Sequence, residues 1–185
     1  MVAAVLLAHG FETAEALVPV DILRRAGISV LVAGIGSFDI SSVHGVMVRA
    51  DVSAEKFDPE GLDMLVLPGG SIGVDYMRES EAVKNLILEM ARLEKIIGAI
   101  CAAPVLLAEL GLLKGRHAVC FPSMTEELVK YGAKLKAGES VVHDRNIVTA
   151  QAVGSSFDFG LELVSVLLGW QASEKVRKNM YYMDK

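Results

Sequence analysis

Short, nearly continuous apolar runs alternate along this chain with longer stretches in which apolar residues recur at helical spacing. The runs are residues 2–8, 28–33, Met64–Leu67 and Ile96–Ile100. Such unbroken apolarity is what parallel strands need when both faces of their sheet are covered. Predicted helices fill residues 13–26 and 81–94. In the second, Val83, Leu86, Ile87 and Met90 fall at i, i+3, i+4 and i+7, while Lys84, Glu89 and Arg92 point away. The alternation predicts an α/β fold, doubly wound, with right-handed crossovers, a mostly parallel sheet, helices on both faces and residues 1–185 as a single domain.

Two places break the alternation. Residues 38–50 carry period-2 material around His44-Gly45, and residues 141–150 turn at Asp144-Arg145-Asn146; both read as hairpins or edge additions. Near the end, Ser155 or Ser156 stands where a cap is needed for a helix running to Gly169. That helix is apolar nearly all round except for Asp158, Glu162 and Ser165, which predicts that it is largely buried. No internal repeat, low-complexity tract or linker interrupts the chain.

Composition narrows the function classes. With 52% hydrophobic and 22% charged residues, the chain must find a core, which excludes intrinsic disorder. The longest apolar stretch, residues 96–108, is broken by Gly98 and Pro104 and falls short of the ~20 residues of a membrane span. A net charge of −5 argues against nucleic acid or an anionic membrane as partner. Lys175, Arg177 and Lys178 read as a solvated helix face. The apolar start has no basic region and reads as a first strand, not a signal peptide. Two cysteines, Cys101 and Cys120, are too few for a disulfide framework and lack metal-site spacing. A reducing cytoplasm is the expected compartment.

Three segments carry candidate chemistry. In Ile96 to Leu107 a strand ends, Cys101 follows, and a helix begins at once, with Pro104 tolerated in its first turn. Ligands of open α/β sheets collect at the carboxyl ends of strands. A cysteine there sits over a helix N-terminus, whose partial positive charge can pull a thiol pKa below ~7.5. The competing reading is a small buried hydrophobe, the commonest fate of a free cysteine, and for Cys120 that reading is preferred. Leu67-Pro68-Gly69-Gly70 follows another strand; it is neither a phosphate loop nor a GxGxxG motif, so it is either an ordinary loop or an oxyanion-binding turn. After the first strand comes His9-Gly10-Phe11-Glu12-Thr13-Ala14-Glu15. Glu12 and Glu15 both suit a helix start, but the apolar neighbours of Glu15 also suit a buried acid held protonated beside a thiolate.

Taken in order, Glu15 with Pro19-Val20-Asp21, Arg24-Arg25-Ala26-Gly27, Leu67-Pro68-Gly69-Gly70, Ala99-Ile100-Cys101-Ala102-Ala103-Pro104 and Ser155-Ser156-Phe157-Asp158-Phe159 resemble the DJ-one (ThiJ/PfpI) superfamily, in its DJ-one/YajL-like branch. The resemblance covers nearly the whole chain. It implies a flavodoxin-like fold, a homodimer, Cys101 as a reactive cysteine at a nucleophile elbow, Glu15 as its carboxylate partner, and backbone N–H groups of Gly70 and Ala102 for an oxyanion. Gly69 and His9 are accessory candidates. Members of this superfamily act as glutathione-independent glyoxalases, deglycases, redox sensors and chaperones, and some relatives are intracellular proteases. Departures matter as well. Ala102 stands where protease-like cousins place a histidine, Phe121-Pro122 where close relatives have histidine before proline, and Gln151-Ala152-Val153-Gly154 where relatives have Arg-Gly-Pro-Gly. His44 is expected near a dimer seam, and His117 and His143 at structural or surface positions.

The leading expectation is an enzyme without metal or other cofactor that acts on small reactive carbonyls through Cys101 and Glu15. The alternative is a redox-responsive chaperone or sensor, since an exposed thiolate oxidises readily to sulfinate. A peptidase ranks third, because the adjacent histidine is missing.

Overall fold

In the computed structural model, which describes residues 1–182, β1 (Val2–Leu7) lies inside a seven-stranded sheet. The chain continues through α1 (Thr13–Arg25), β2 (Ser29–Gly34), β3 (Asp39–Ser41), β4 (Met47–Arg49), β5 (Val52–Ser53), β6 (Met64–Leu67), α2 (Ser71–Glu79) and α3 (Glu81–Arg92). It then forms β7 (Ile96–Ile100), α4 (Ala103–Glu109), β8 (His117–Ala118), α5 (Thr125–Lys130), β9 (Lys134–Leu135), β10 (Val141–Asp144), β11 (Ile147–Ala150), α6 (Ser156–Leu168) and α7 (Trp170–Asn179). The strand order is β10-β11-β7-β6-β1-β2-β5, all pairs parallel except the edge strand β10 against β11. This is the expected doubly wound architecture.

The continuous apolar runs have a direct cause in the layers. Ala4 and Leu6 of β1, with Leu65 and Leu67 of β6, face a core built with α2, α3 and α4 through Met77, Ile87 and Leu106. Ala3, Val5 and Leu7, with Met64 and Val66, face the other core, filled by Ile22 and Leu23 of α1 and Phe159 and Leu163 of α6. Each large side chain removed from water contributes roughly 1.5–3 kcal/mol, so a polar residue at either parity of these strands would be costly.

The two interruptions are hairpins. β3 pairs antiparallel with β4 outside the main sheet, and β10 with β11 at its edge. The last predicted helix departs from expectation in two ways. Ser155 occupies the N-cap of α6 without a side-chain cap bond, and the Ser156 hydroxyl donates instead to the Val153 carbonyl at 2.8 Å. Nor is α6 buried all round, since Phe157 and Leu168 are exposed. Its inner stripe of Phe159, Leu163 and Val164 already fills the space over the sheet, so the opposite face turns outward.

The chain leaves β1 towards β2 on one side and later returns to β6 on the other. Winding reverses there, and a crevice opens beyond the carboxyl ends of β1 and β6, with β7 alongside. Among the described residues no helix is long and apolar enough to cross a membrane.

Candidate active site

Three loops meet in that crevice: residues 8–12 after β1, 68–70 after β6, and 101–102 after β7. Cys101 is the first residue past β7 and has φ +66°, a left-handed conformation that costs an L-residue roughly 1–2 kcal/mol. Its surroundings impose the turn. The Cys101 N–H donates to the Ala150 carbonyl at 3.0 Å, and its carbonyl accepts from the Phe121 N–H at 2.8 Å. With both backbone groups tied, the side chain projects from the strand-to-helix corner, and α4 starts two residues later with Pro104 in its first turn.

Glu15 arrives from α1. It is 1% exposed, one carboxylate oxygen accepts the Gly69 N–H at 3.0 Å, and the side chain hydrogen-bonds to the Cys101 thiol. Gly69 is the floor beneath both groups. A Cβ there would stand 2.4 Å from the Glu15 carboxylate and 3.0 Å from the Cys101 sulfur, so only glycine leaves them room to meet. Gly70, at φ +91°, presses against the first loop, where a Cβ would lie 2.3 Å from the Gly10 carbonyl oxygen. That turn aims the Gly70 N–H at the Cys101 sulfur, and the Ala102 N–H points there too. The structure thus brings Cys101, Glu15, Gly69, Gly70 and Ala102 together.

The electrostatics correct one expectation. The thiol is not pulled down by the helix start; it is pushed up to about 12, first by burial, then by the negative charge and the hydrogen bond of Glu15. The N–H groups of Gly70 and Ala102 act the other way and are outweighed. Glu15 itself is raised to about 7, chiefly by burial, with the Glu12 carboxylate adding to it and the bonds to Cys101 and Gly69 opposing. The two acids are therefore one coupled system that is uncharged below about 7 and carries a single negative charge from there up to about 12, with one proton between oxygen and sulfur in that range.

Above the pair lies a pocket of about 250 Å³ lined by Glu12, Val43, Gly70, Ser71, Cys101, Ala102, Phe121 and Met124. It is smaller than drug-sized sites. A larger cleft, about 660 Å³, lies beside α3 against Phe57 and Pro59 but holds no nucleophile, so size does not locate the chemistry. Val43 and Met124 carry no signal in the sequence, because their place in the wall comes from long-range packing. Phe121, noted as a substitution for histidine, supplies an aromatic wall.

The remaining candidates lie elsewhere. His9 is exposed, and its Nδ1 accepts the Ser41 N–H at 3.2 Å, so it anchors the β3–β4 hairpin and does not line the pocket. His44, on that hairpin, places Nε2 3.5 Å from a Glu12 carboxylate oxygen. His117 and His143 have partners that the sequence does not reveal, Asp144 at 3.4 Å and Glu162 at 3.3 Å. Cys120 is buried, with its sulfur 3.4 Å from the Phe121 carbonyl oxygen. Among the described residues no group of three His, Cys, Asp or Glu side chains is gathered as a metal site.

Comparison with known proteins gives a consistent result. The profile of the DJ-1/PfpI family matches residues 1–166. The "Parkinson disease protein 7 homolog" of Danio rerio is 35% identical, covering 98% of this chain and 97% of that protein. "Deglycase PYRAB04690" of Pyrococcus abyssi is 31% identical over 88% of this chain and 97% of its own length. Among solved structures, Drosophila melanogaster DJ-1beta superposes with a TM-score of 0.94 at 33% identity, covering 99% of this chain and 98% of that one.

Proposed function

The chain belongs to the DJ-1/PfpI family, and from that premise we propose that it is a thiol–carboxyl enzyme acting on small reactive carbonyl compounds. The observation that carries this reading is the Glu15–Cys101 hydrogen bond over a glycine floor, with two backbone N–H groups aimed at the sulfur. When Glu15 holds the shared proton, the charge sits on sulfur, and the thiolate adds to the aldehyde carbon of a 1,2-dicarbonyl. A C–S bond forms and the carbonyl π pair moves to oxygen, where the Gly70 and Ala102 N–H groups receive it. Glu15 then gives its proton to that oxygen and, now a carboxylate, takes the proton from the former aldehyde carbon and returns it to the neighbouring carbonyl carbon by way of an enediolate, while the hydroxyl proton passes to the neighbouring oxygen, leaving a 2-hydroxy thioester. That carbon is oxidised as its neighbour is reduced, so no outside redox partner is needed. Water cleaves the thioester, releasing a 2-hydroxy acid and restoring the thiol. An amine-borne adduct enters at the same carbon, and the deglycase name of the Pyrococcus abyssi relative is in keeping with this.

Consumption of methylglyoxal without glutathione, lost in Cys101→Ala, is the expected result; undiminished turnover in that variant would overturn the reading. A second role is favoured by the same geometry. N–H groups that receive a substrate oxyanion also suit a sulfinate oxygen, so mild peroxide should add two oxygens at Cys101 alone, read by intact and peptide mass. The exposed apolar side chains of Met47, Phe157, Leu168 and Trp170 support self-association as a homodimer. The reducing cytoplasm remains the compartment we propose, since neither cysteine is paired.

A further inference from the structure

Among the described residues, one charged side chain besides Cys101 lines the Cys101 pocket, and it is acidic. Glu12 precedes α1, its N–H donates to the Gly69 carbonyl at 3.0 Å, and its side chain keeps about a fifth of its surface exposed. The other lining residues are apolar, small or neutral: Val43, Ser71, Phe121 and Met124 beside the glycine and alanine backbone. The Glu12 carboxylate makes no capping bond to its own helix, which leaves it free to face the opening. Its charge reaches inward, because it acts on Glu15 at the base of the pocket.

The hairpin fixes where that carboxylate lies. The Val43 N–H donates to the Phe11 carbonyl at 2.9 Å, the Gly10 N–H to the Ser41 carbonyl at 2.8 Å, and the Thr13 hydroxyl to the Ser42 hydroxyl at 2.8 Å. Stitched in this way, the hairpin tip brings His44 Nε2 to 3.5 Å from a Glu12 oxygen. Among the described residues no lysine or arginine lines the pocket. A substrate approaching Cys101 therefore passes the Glu12 carboxylate with the His44 imidazole beside it.

We infer that Glu12, positioned by His44, is a specificity-determining residue that admits neutral and cationic carbonyl substrates to Cys101 and disfavours those bearing a carboxylate. The inference rests on the proposed role of Cys101 as a nucleophile and names the charge class of its substrate. Amine- and guanidine-borne aldehyde adducts and neutral dicarbonyls belong to the admitted class, and 2-oxo acids to the disfavoured one.

Two alkylating reagents of nearly equal size isolate the effect: neutral iodoacetamide and anionic iodoacetate, with the rate at Cys101 read by peptide mass. Both need the same thiolate, so a change in thiol ionisation cancels in the ratio of their rates. In Glu12→Gln the iodoacetate-to-iodoacetamide ratio should rise about tenfold over the parent protein, the scale of one unit charge at the edge of a partly buried site. In the parent protein the ratio should climb towards the variant's value as salt is raised, whereas Glu60→Gln, exposed ahead of the amino end of β6 on the opposite edge of the sheet, should leave it unchanged. His44→Gln, which removes the positioning contact, should shift the ratio by a smaller factor. An unchanged ratio in Glu12→Gln with brisk alkylation overturns this inference alone. Failure of both reagents to label Cys101 overturns the nucleophile reading and this inference with it.

Discussion

Cys101 and Cys120 both follow short strands, Cys101 half-buried and Cys120 buried, and in both burial is the main force pushing the thiol up, to about 12 and about 11. Their surroundings otherwise have little in common. Cys120 meets one carbonyl oxygen and lies inside the core that contains Leu106 and Leu128. Cys101 meets a carboxyl that shares its proton, two N–H groups, a glycine floor and a pocket. Burial alone makes a spectator. What distinguishes the elbow is a neighbouring acid whose ionisation falls near neutrality, and donors already in place for the charge when it moves to sulfur.

The comparison breaks most visibly if the two sulfurs are exchanged in importance. Cys101→Ala should lower methylglyoxal consumption at least roughly 10³-fold, whereas Cys120→Ala should leave it within about twofold. Next in size is Glu15→Gln, which keeps an acceptor for the Gly69 N–H but removes the mobile proton; turnover should fall by about 10²-fold, in line with loss of general acid–base catalysis. The same variant carries a stability signature. Folding raises Glu15 from its ordinary 4.5 to about 7, so between those values the unfolded chain binds fewer protons than the folded one. Parent stability therefore falls as pH rises through this window, by on the order of 3 kcal/mol, and denaturant melts of Glu15→Gln should be flat there. Gly69→Ala should cost about 1–3 kcal/mol and slow Cys101 alkylation roughly tenfold, because its methyl group must displace either the carboxyl or the thiol. The smallest effect is the stability of Cys120→Ala, a loss of about 1 kcal/mol for a small void in a buried position.

Much of the architecture is legible in the chain because its cause is local. Val2 to Leu7 and Met64 to Leu67 are apolar at both parities for the same reason that they are strands between two cores. The hairpins announce themselves through His44-Gly45 and Asp144-Arg145-Asn146. Cys101 and Glu15 are visible from their places at a strand end and a helix start, and Gly69 and Gly70 from their position after β6. What stays hidden is set by tertiary packing. The outward turn of Phe157 and Leu168 depends on how much of α6 the sheet can cover, and the approach of His44 to Glu12 on how the β3–β4 hairpin docks. The direction of the Cys101 shift is misjudged from sequence, since spacing reveals the helix start but not the depth of burial or the charge alongside.

The most direct test follows Cys101 alkylation by iodoacetamide as a function of pH in the parent protein. One proton shared between Glu15 and Cys101 predicts a rate that rises to a plateau with a midpoint near 7, followed by a further increase only at strongly alkaline pH. A rate that stays negligible until pH is well above 9 would mean that the charge never reaches sulfur, and would contradict the account.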